Sequence, residues 1–530
     1  MQQLKEKILH QRISFEWGAI SLLSLALFFV FQIINAEASN DAYFATSVEK
    51  APSVSKSVRT TVNVNESKVL QAVPKDYIGF SKEPRGICGL LNSVDSYPKI
   101  EQEFKNLGSY VIRMGGIDGD FTVWSPDGDL TCGKTTKETT TINRKAIDDF
   151  FAYVKRTGGK AIWQVNLGAN DPKTYADEAN YMYKVGGSSL LGIEIGNEPE
   201  RFVVEKIRPS DYNYSTYKSE WEAYAKSIKA LGNIPIAGPD GCQSSWFKSF
   251  ASDESSRVSF FTMHAYPTKI KGTGTSAPTI DNLLSQDLMS RLVSFVSNMA
   301  KVADKERVPL VLGETNSVTG AGKAGVSDAM AAALWGTDYM FNALEQGVIG
   351  IDFHGILSHA DYAPINSTGD PKALYYAMLL FHNAAPNGNS VSASTTSSAN
   401  VVSHAVLGKD GKLRVVVINK DLTKNASVEI GTQKSYVQAS ALYLSAPSIE
   451  STTGFTYGGK AVAADGTWTP DAPKSLAVSG NTAYLEVPAG SAAVVTLEGT
   501  VANKYPLTVK NGTGSGLYAQ GTKVTITANA

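Results

Sequence analysis

The chain has 530 residues, with 49 basic and 50 acidic side chains and a net charge of −1. That length exceeds what one domain ordinarily holds, so two or more domains are expected. A near-neutral balance with no basic block excludes the electrostatic footprint of a nucleic-acid binder, while 23 Tyr and 7 Trp suit a protein that stacks on flat ligands.

In chain order, Lys5, Lys7 and Arg12 precede an apolar run from Gly18 to Ile34, followed by Ala36-Glu37-Ala38. Small residues at that spacing are what a signal peptidase reads, so residues 1–38 are taken as a signal peptide cleaved after Ala38. An uncleaved anchor is the alternative, because the run is near the lower limit of a spanning helix. No later segment is long and apolar enough to span a bilayer. The expected protein is therefore secreted, periplasmic or at the cell surface, with no integral span after cleavage.

Residues 39–72 are rich in Ser, Val and Thr. They read as a tether whose later part, around Thr60–Gln71, can serve as a strand of another domain. From residue 73 to 386 short β-like runs alternate with helical patterns: Tyr77–Ser81, Tyr110–Met114, Lys160–Val165, Leu191–Ile195, Ile234–Ala237, Ser259–Met263, Pro309–Leu312 and Gly350–Phe353. Between them, Ala146–Lys155, Leu284–Val302 and Ser327–Leu344 carry apolar residues at three- and four-residue steps. Eight such alternations predict a (β/α)8 barrel rather than an open doubly wound sheet. No glycine-rich phosphate motif follows the first run, so dinucleotide binding gains no support.

Near Ala385 the helical period stops, and Pro386–Asn400, rich in Asn, Ser and Thr, marks a domain boundary. Residues 387–500 predict a small β-sandwich, with Val401–Leu407 and Leu413–Asn419 flanking the hairpin signal Gly408-Lys409-Asp410-Gly411. The alternation continues in Tyr436–Leu444, Thr482–Val487 and Ala492–Glu498. Residues 501–530 differ again and resemble the opening of an internalin-type B repeat, a small β module of bacterial surface proteins.

Cys88, Cys132 and Cys242 fit no metal-ligand spacing, and neither metal nor organic cofactor is expected. Cys88 and Cys132 follow neighbouring predicted strands and are the preferred disulfide; three unpaired thiols are the alternative.

Two glutamates each follow a short apolar run: Glu198 in Ile193–Pro199 (IEIGNEP) and Glu314 in Val308–Ser317 (VPLVLGETNS). They fall at the ends of the fourth and seventh predicted strands, the face where a (β/α)8 barrel presents its chemistry. Either alone is more often a solvated loop residue. Together they supply what glycoside hydrolysis needs, a proton donor and a nucleophile or base.

These two sites resemble the retaining glycoside hydrolases of clan A. Further segments narrow the resemblance to glycoside hydrolase family 79, which holds β-glucuronidases and heparanases. They are IGFSKE (Ile78–Glu83), VIRMGGIDGD (Val111–Asp120), WQVNLG (Trp163–Gly168), FTMHAYP (Phe261–Pro267) and GETNS (Gly313–Ser317). The likeness covers about Pro74 to Thr500. It implies that Glu314 is the nucleophile and Glu198 the acid/base, with Tyr266 and Arg113 supporting the nucleophile. Asn197 would bond the sugar 2-hydroxyl and Asp120 another hydroxyl. Asn166 is either a sugar-binding or a structural amide, and His264 either nucleophile support or a satisfied core residue.

One departure stands out. The family has a tyrosine five residues after the nucleophile that helps bind the uronate carboxylate; here that position is Thr319, followed by Gly320-Ala321-Gly322. Gly320 and its neighbours can still offer backbone N–H donors, and Tyr362 resembles the family's other carboxylate-binding tyrosine. The resemblance implies an exo-acting retaining β-glycosidase, most simply a β-glucuronidase, acting on oligo- or polysaccharide. Two alternatives stand. One is an endo-acting heparanase-like enzyme with Lys269 and Lys271 on a cationic rim; the other is an inactive carbohydrate-binding surface protein.

Overall fold

The structure is a computed structural model that describes residues 57–135, 138–500, 504–519 and 521–529. The segment read as a signal peptide lies outside the described residues.

Eight parallel strands close into a barrel: Ile78–Lys82, Val111–Met114, Lys160–Val165, Leu190–Ile195, Ile236–Gly241, Phe260–Ala265, Leu310–Thr315 and Val348–His354. The last pairs with the first through Ile351 and Ile78, which completes the ring. These strands are short and buried along nearly their whole length, as expected where helices cover the outer face and side chains fill the inside. Helix starts follow local capping chemistry. Asn143 accepts from the Ala146 N–H ahead of Arg144–Arg156, and Asp171 accepts from Thr174 ahead of Pro172–Gly186.

Helix Met330–Glu345 is buried on nearly all sides, unlike an ordinary amphipathic barrel helix. The second domain covers its outer face. Its Met330 and Ala331 N–H groups, orphaned at the helix start, donate to the carbonyls of Ser451 and Ile449. Buried charges also cross this junction. His404 bonds Asp338 at 3.0 Å and Glu345 at 2.9 Å, and the Lys420 ammonium meets Asp338 at 2.6 Å.

The second domain is one ten-stranded ladder that folds back on itself, because Tyr436–Ser445 also pairs with Ser491–Thr500. The strand Val58–Ala72 lies inside this ladder, parallel to Ala426–Gly431 and antiparallel to Gly388–Ser397. Its Val62 and Val64 point inward while Asn63 is exposed, the period-two pattern of a half-buried strand. Residues 388–397, which the sequence suggests as boundary loop, are a strand. Partners on both sides outweigh their Asn, Ser and Gly content, and a Thr60–Ser397 hydroxyl pair at 2.8 Å adds a cross-strand bond. Beyond residue 503, Lys504–Leu507 pairs with Gly516–Ala519, and Gly512–Thr513 with Thr527–Ala528.

Cys88 and Cys132 form a disulfide, with Cα atoms 6.2 Å apart, and Cys242 is a free thiol. Among the described residues no helix is long and apolar enough to cross a membrane.

Candidate active site

The upper layer of the barrel interior is charged, with nearly every strand contributing one polar side chain. The centre is Arg113 on the second strand, fully buried. A guanidinium has five N–H donors in a planar fork, and here each meets an acceptor. Nε donates to Glu194 (2.8 Å), Nη1 to Ser81 (2.9 Å) and Glu314 (3.1 Å), and Nη2 to Asn197 (2.8 Å) and Asp240 (2.5 Å). A buried cation is tolerated only when it is fully paired in this way.

The charges around it sort themselves. Burial pushes Glu194 up to about 8, outweighing the pull of Arg113, and the charge of Asp240 beside it raises it further. Asp240 resists burial because Arg113 and His264 face it, and it is held at about 2. His264 is held well above its ordinary range despite burial, by Asp240 and Glu314. Its Nε2–H donates to Asp240 at 2.8 Å and its Nδ1–H to Glu198 at 3.0 Å. Two cations, Arg113 and His264, thus balance two anions, Asp240 and Glu314.

Glu314 lies in the seventh strand beside His264 of the sixth, where the ladder slips by one residue. Burial would raise its carboxyl, but His354, His264 and Arg113 bring it down to about 2. Tyr266 donates its phenol to the other carboxylate oxygen at 3.0 Å. Glu198 stands three residues past the end of the fourth strand. Its backbone is left-handed (φ 44°), just after Gly196 (φ 78°), and its N–H donates to the Asp240 carbonyl at 2.7 Å. Such a conformation is uncommon in a non-glycine residue and marks a constrained position. Arg201, one turn on, lies 3.0 Å from its free oxygen.

Glu198 and Glu314 line one cavity of about 920 Å³, with Glu83, Tyr266, Lys269, Thr319, Gly320, His354 and Tyr362 also on its wall. Its size is that of a small-molecule site. Tyr362 is buried, and its phenol is held above the usual range chiefly by burial and by Glu314. After the seventh strand the chain turns through three consecutive left-handed residues, Gly320, Ala321 and Gly322 (φ 75°, 73° and 87°). A Cβ at 322 would stand 2.8 Å from the Tyr362 nitrogen, so the two loops can meet only at glycine.

Of the residues singled out in the sequence, Arg113, Glu198, Tyr266, His264 and Glu314 form one connected network, while Gly320 and Tyr362 share its cavity. One placement differs from expectation. Asp120 is buried away from the cavity wall and spends both oxygens on the scaffold. It accepts from the Leu167 and Gly168 N–H groups (3.0 and 3.1 Å), the Asn197 N–H (2.9 Å) and the Gln164 amide (3.1 Å). These bonds make it a positioning residue for the strand ends. Asn166 is structural too, donating to the Thr122 carbonyl (2.6 Å) and accepting from the Ala169 N–H (2.9 Å). His264 bonds Glu198 and supports Glu314 through its charge. Asn197 turns its oxygen to Arg113 and leaves its amide nitrogen without a partner among the described residues.

Sequence reading missed Glu194, Asp240, Ser81, His354 and Glu83. Glu194 was findable as a charge inside an apolar strand run, IEI, at an inward position. Glu83 follows the first strand in IGFSKE; burial and Asp118 push it up to about 8, so it faces the cavity protonated.

The carboxyl-terminal region matches the model described as "Glycosyl hydrolase family 79 C-terminal beta domain" over residues 403–494. A β-glucuronidase of Neurospora crassa is 25% identical over 374 residues, 60% of this chain and 66% of that protein. One from Aspergillus niger is 25% identical over 385 residues, 64% of this chain and 70% of that protein. Among solved structures, a 4-O-α-L-rhamnosyl-β-D-glucuronidase from Fusarium oxysporum 12S superposes with a TM-score of 0.70 at 20% identity, covering 82% of this chain and all of that one. A GH51 arabinofuranosidase from Xanthomonas axonopodis pv. citri gives 0.63 at 16% identity, over 83% of this chain and all of that one. A closed parallel barrel followed by a region that matches the family 79 C-terminal domain model, with β-glucuronidases among the sequence relatives, supports a glycoside hydrolase. The matched domain and the two sequence relatives together support family 79.

Proposed function

We propose that the protein is a retaining β-glucuronidase that removes terminal β-linked uronic acid from glycans. The observation that carries this reading is the unequal environment of two carboxyls in one cavity. Glu314 is kept ionised, at about 2, and clasped by Arg113 and Tyr266, the state a nucleophile needs. Glu198 stands at the rim beside Arg201 and His264, where a leaving group departs.

Glu314 attacks the anomeric carbon while Glu198 gives its proton to the glycosidic oxygen, and the C–O bond to the aglycone breaks. The glycosyl-enzyme ester then faces water, from which Glu198 takes a proton, and the attack of that water frees Glu314. Forming the ester removes the charge of Glu314, so Glu198 changes from acid to base as its neighbour is neutralised and restored. The unpartnered amide nitrogen of Asn197 is a donor at the strand end that carries Glu198, suited to the sugar 2-hydroxyl. For the C6 carboxylate, the Gly320 and Gly322 N–H groups make no protein hydrogen bond among the described residues, and the Tyr362 phenol stands beside them. Successive amides in such a turn form an anion-binding concavity.

Export fits the Cys88–Cys132 disulfide, since such bonds persist in oxidising compartments. The small ladders beyond residue 503 fit the start of a surface-attachment repeat. Turnover of 4-nitrophenyl β-glucuronide, glucoside, galactoside and xyloside tests the activity. Equal or better kcat/KM on the glucoside would sink the substrate assignment.

A further inference from the structure

Thr319 replaces the phenol that the family resemblance leads one to expect beside the uronate carboxylate, and its own contacts point to a substitute. The Thr319 N–H donates to the Thr268 carbonyl (3.1 Å), and its hydroxyl accepts from the Ile270 N–H (3.4 Å). Val318 and Thr268 also form an isolated parallel bridge. The loop after the sixth strand is therefore stitched along the loop after the nucleophile. Ile270 packs over Gly320, where an added Cβ would come within 3.1 Å of its side chain. Lys269 sits between the two stitched residues and lines the cavity together with Thr319, Gly320 and Tyr362.

The other cations on that wall are committed. The Lys82 amine donates to the Ile356 and Leu357 carbonyls, each at 2.9 Å. Arg85 pairs with Asp118 at 2.6 Å, and Arg201 pairs with Glu198 at 3.0 Å and Glu205 at 2.8 Å. The Lys269 ammonium has no acidic or carbonyl partner among the described residues. A tyrosine at 319 would lack the aliphatic hydroxyl that holds the Ile270 N–H, so the same substitution removes a phenol and clasps a lysine.

We propose that Lys269 binds the C6 carboxylate of the uronate in the first subsite, supplying as a point charge what a phenolic donor would otherwise give. This rests on the β-glucuronidase reading above. A lysine discriminates by charge, not by fork geometry, so selectivity depends on the substrate carboxylate being ionised.

The test is kcat/KM for 4-nitrophenyl β-glucuronide, its methyl ester and the β-glucoside, measured in the unmodified protein, Lys269→Met and Lys269→Arg. Thermal melting of each variant checks that it is folded. Lys269→Met is expected to lose about 10- to 100-fold more on the glucuronide than on the glucoside, the scale of one charge-assisted bond, with the loss mainly in KM. Discrimination between the acid and its methyl ester should shrink by the same factor, and Lys269→Arg should retain most of both. Equal losses on all three substrates would mean a structural lysine and overturn the proposal, as would an unchanged glucuronide-to-glucoside ratio in a protein that prefers glucuronide. A protein that shows no glucuronide preference before mutation would overturn the β-glucuronidase reading itself, and this role for Lys269 with it.

Discussion

Tyr266→Phe separates two ways in which the network could support Glu314. The phenol donates to the Glu314 carboxylate at 3.0 Å, while Arg113 holds the other oxygen at 3.1 Å and His354 lies 3.6 Å away. A hydrogen bond to a charged group is worth about 1.5–3 kcal/mol. At about 1.4 kcal/mol per tenfold change in proton affinity, its loss raises the Glu314 carboxyl by about one to two pH units. Starting from about 2, the nucleophile stays ionised at neutral pH, because the cations do most of that work. The variant should therefore keep its plateau in the same pH range but run about 10- to 150-fold slower there, the cost of a carboxylate free to rotate off line. The assay is a kcat profile from pH 3 to 8 on an activated aryl glucuronide. Slow turnover accompanied by an acid limb displaced above about pH 5 would refute this division of labour. It would mean that the phenol, and not the cations, keeps Glu314 charged. A loss below about threefold would mean that the bond does not orient the nucleophile.

Further tests follow from the same geometry. Glu314→Ala should lose several orders of magnitude, and Glu198→Ala on an activated aryl substrate should regain turnover with azide, yielding a glycosyl azide that chromatography detects; absence of rescue would reassign the acid/base. Removing the Cys88–Cys132 bond, whose cysteines are 44 residues apart, should cost about 4 kcal/mol by loop-closure entropy, seen as a lower denaturation midpoint in the double Ser variant. His404 is held at about 9 by Glu345 and Asp338 against its burial. A raised value means its contribution is complete below about 6.5, its ordinary value, and is lost as pH rises through about 9. Melting temperature against pH should show that loss in the unmodified protein and not in His404→Gln.

Much of the barrel was readable because its strands are buried on both faces and so appear as uninterrupted apolar runs. Lys160–Val165 occupies the residues expected of it, and Leu191–Ile195 differs by one. The paired glutamates were readable because each breaks such a run at its carboxyl end. Polar residues inside the barrel were harder to sort. Asp120 and Asn166 carry the residue types of sugar ligands, yet backbone N–H groups and carbonyls engage their atoms, and only coordinates reveal that. Asp240 looks like a turn residue in Gly-Pro-Asp-Gly, but it holds both Arg113 and His264. Residues 388–397 looked like a loop because their strand character comes from neighbours far along the chain.

The strand Val58–Ala72 also bears on how the protein is made. It is synthesised before the barrel, but its partners, Gly388–Ser397 and Ala426–Gly431, come after it. At about 5–20 residues per second, its edges stay unpaired for on the order of tens of seconds while more than 300 residues of barrel emerge. Waiting β edges are templates for wrong pairing between chains. The hydrophilic side of this strand, with Arg59, Asn63 and Asn65, is then a safeguard during biosynthesis as much as a solvent face. Circular permutants that begin at residue 73 and join the strand to the carboxyl-terminal side should shorten the wait and aggregate less at the ribosome.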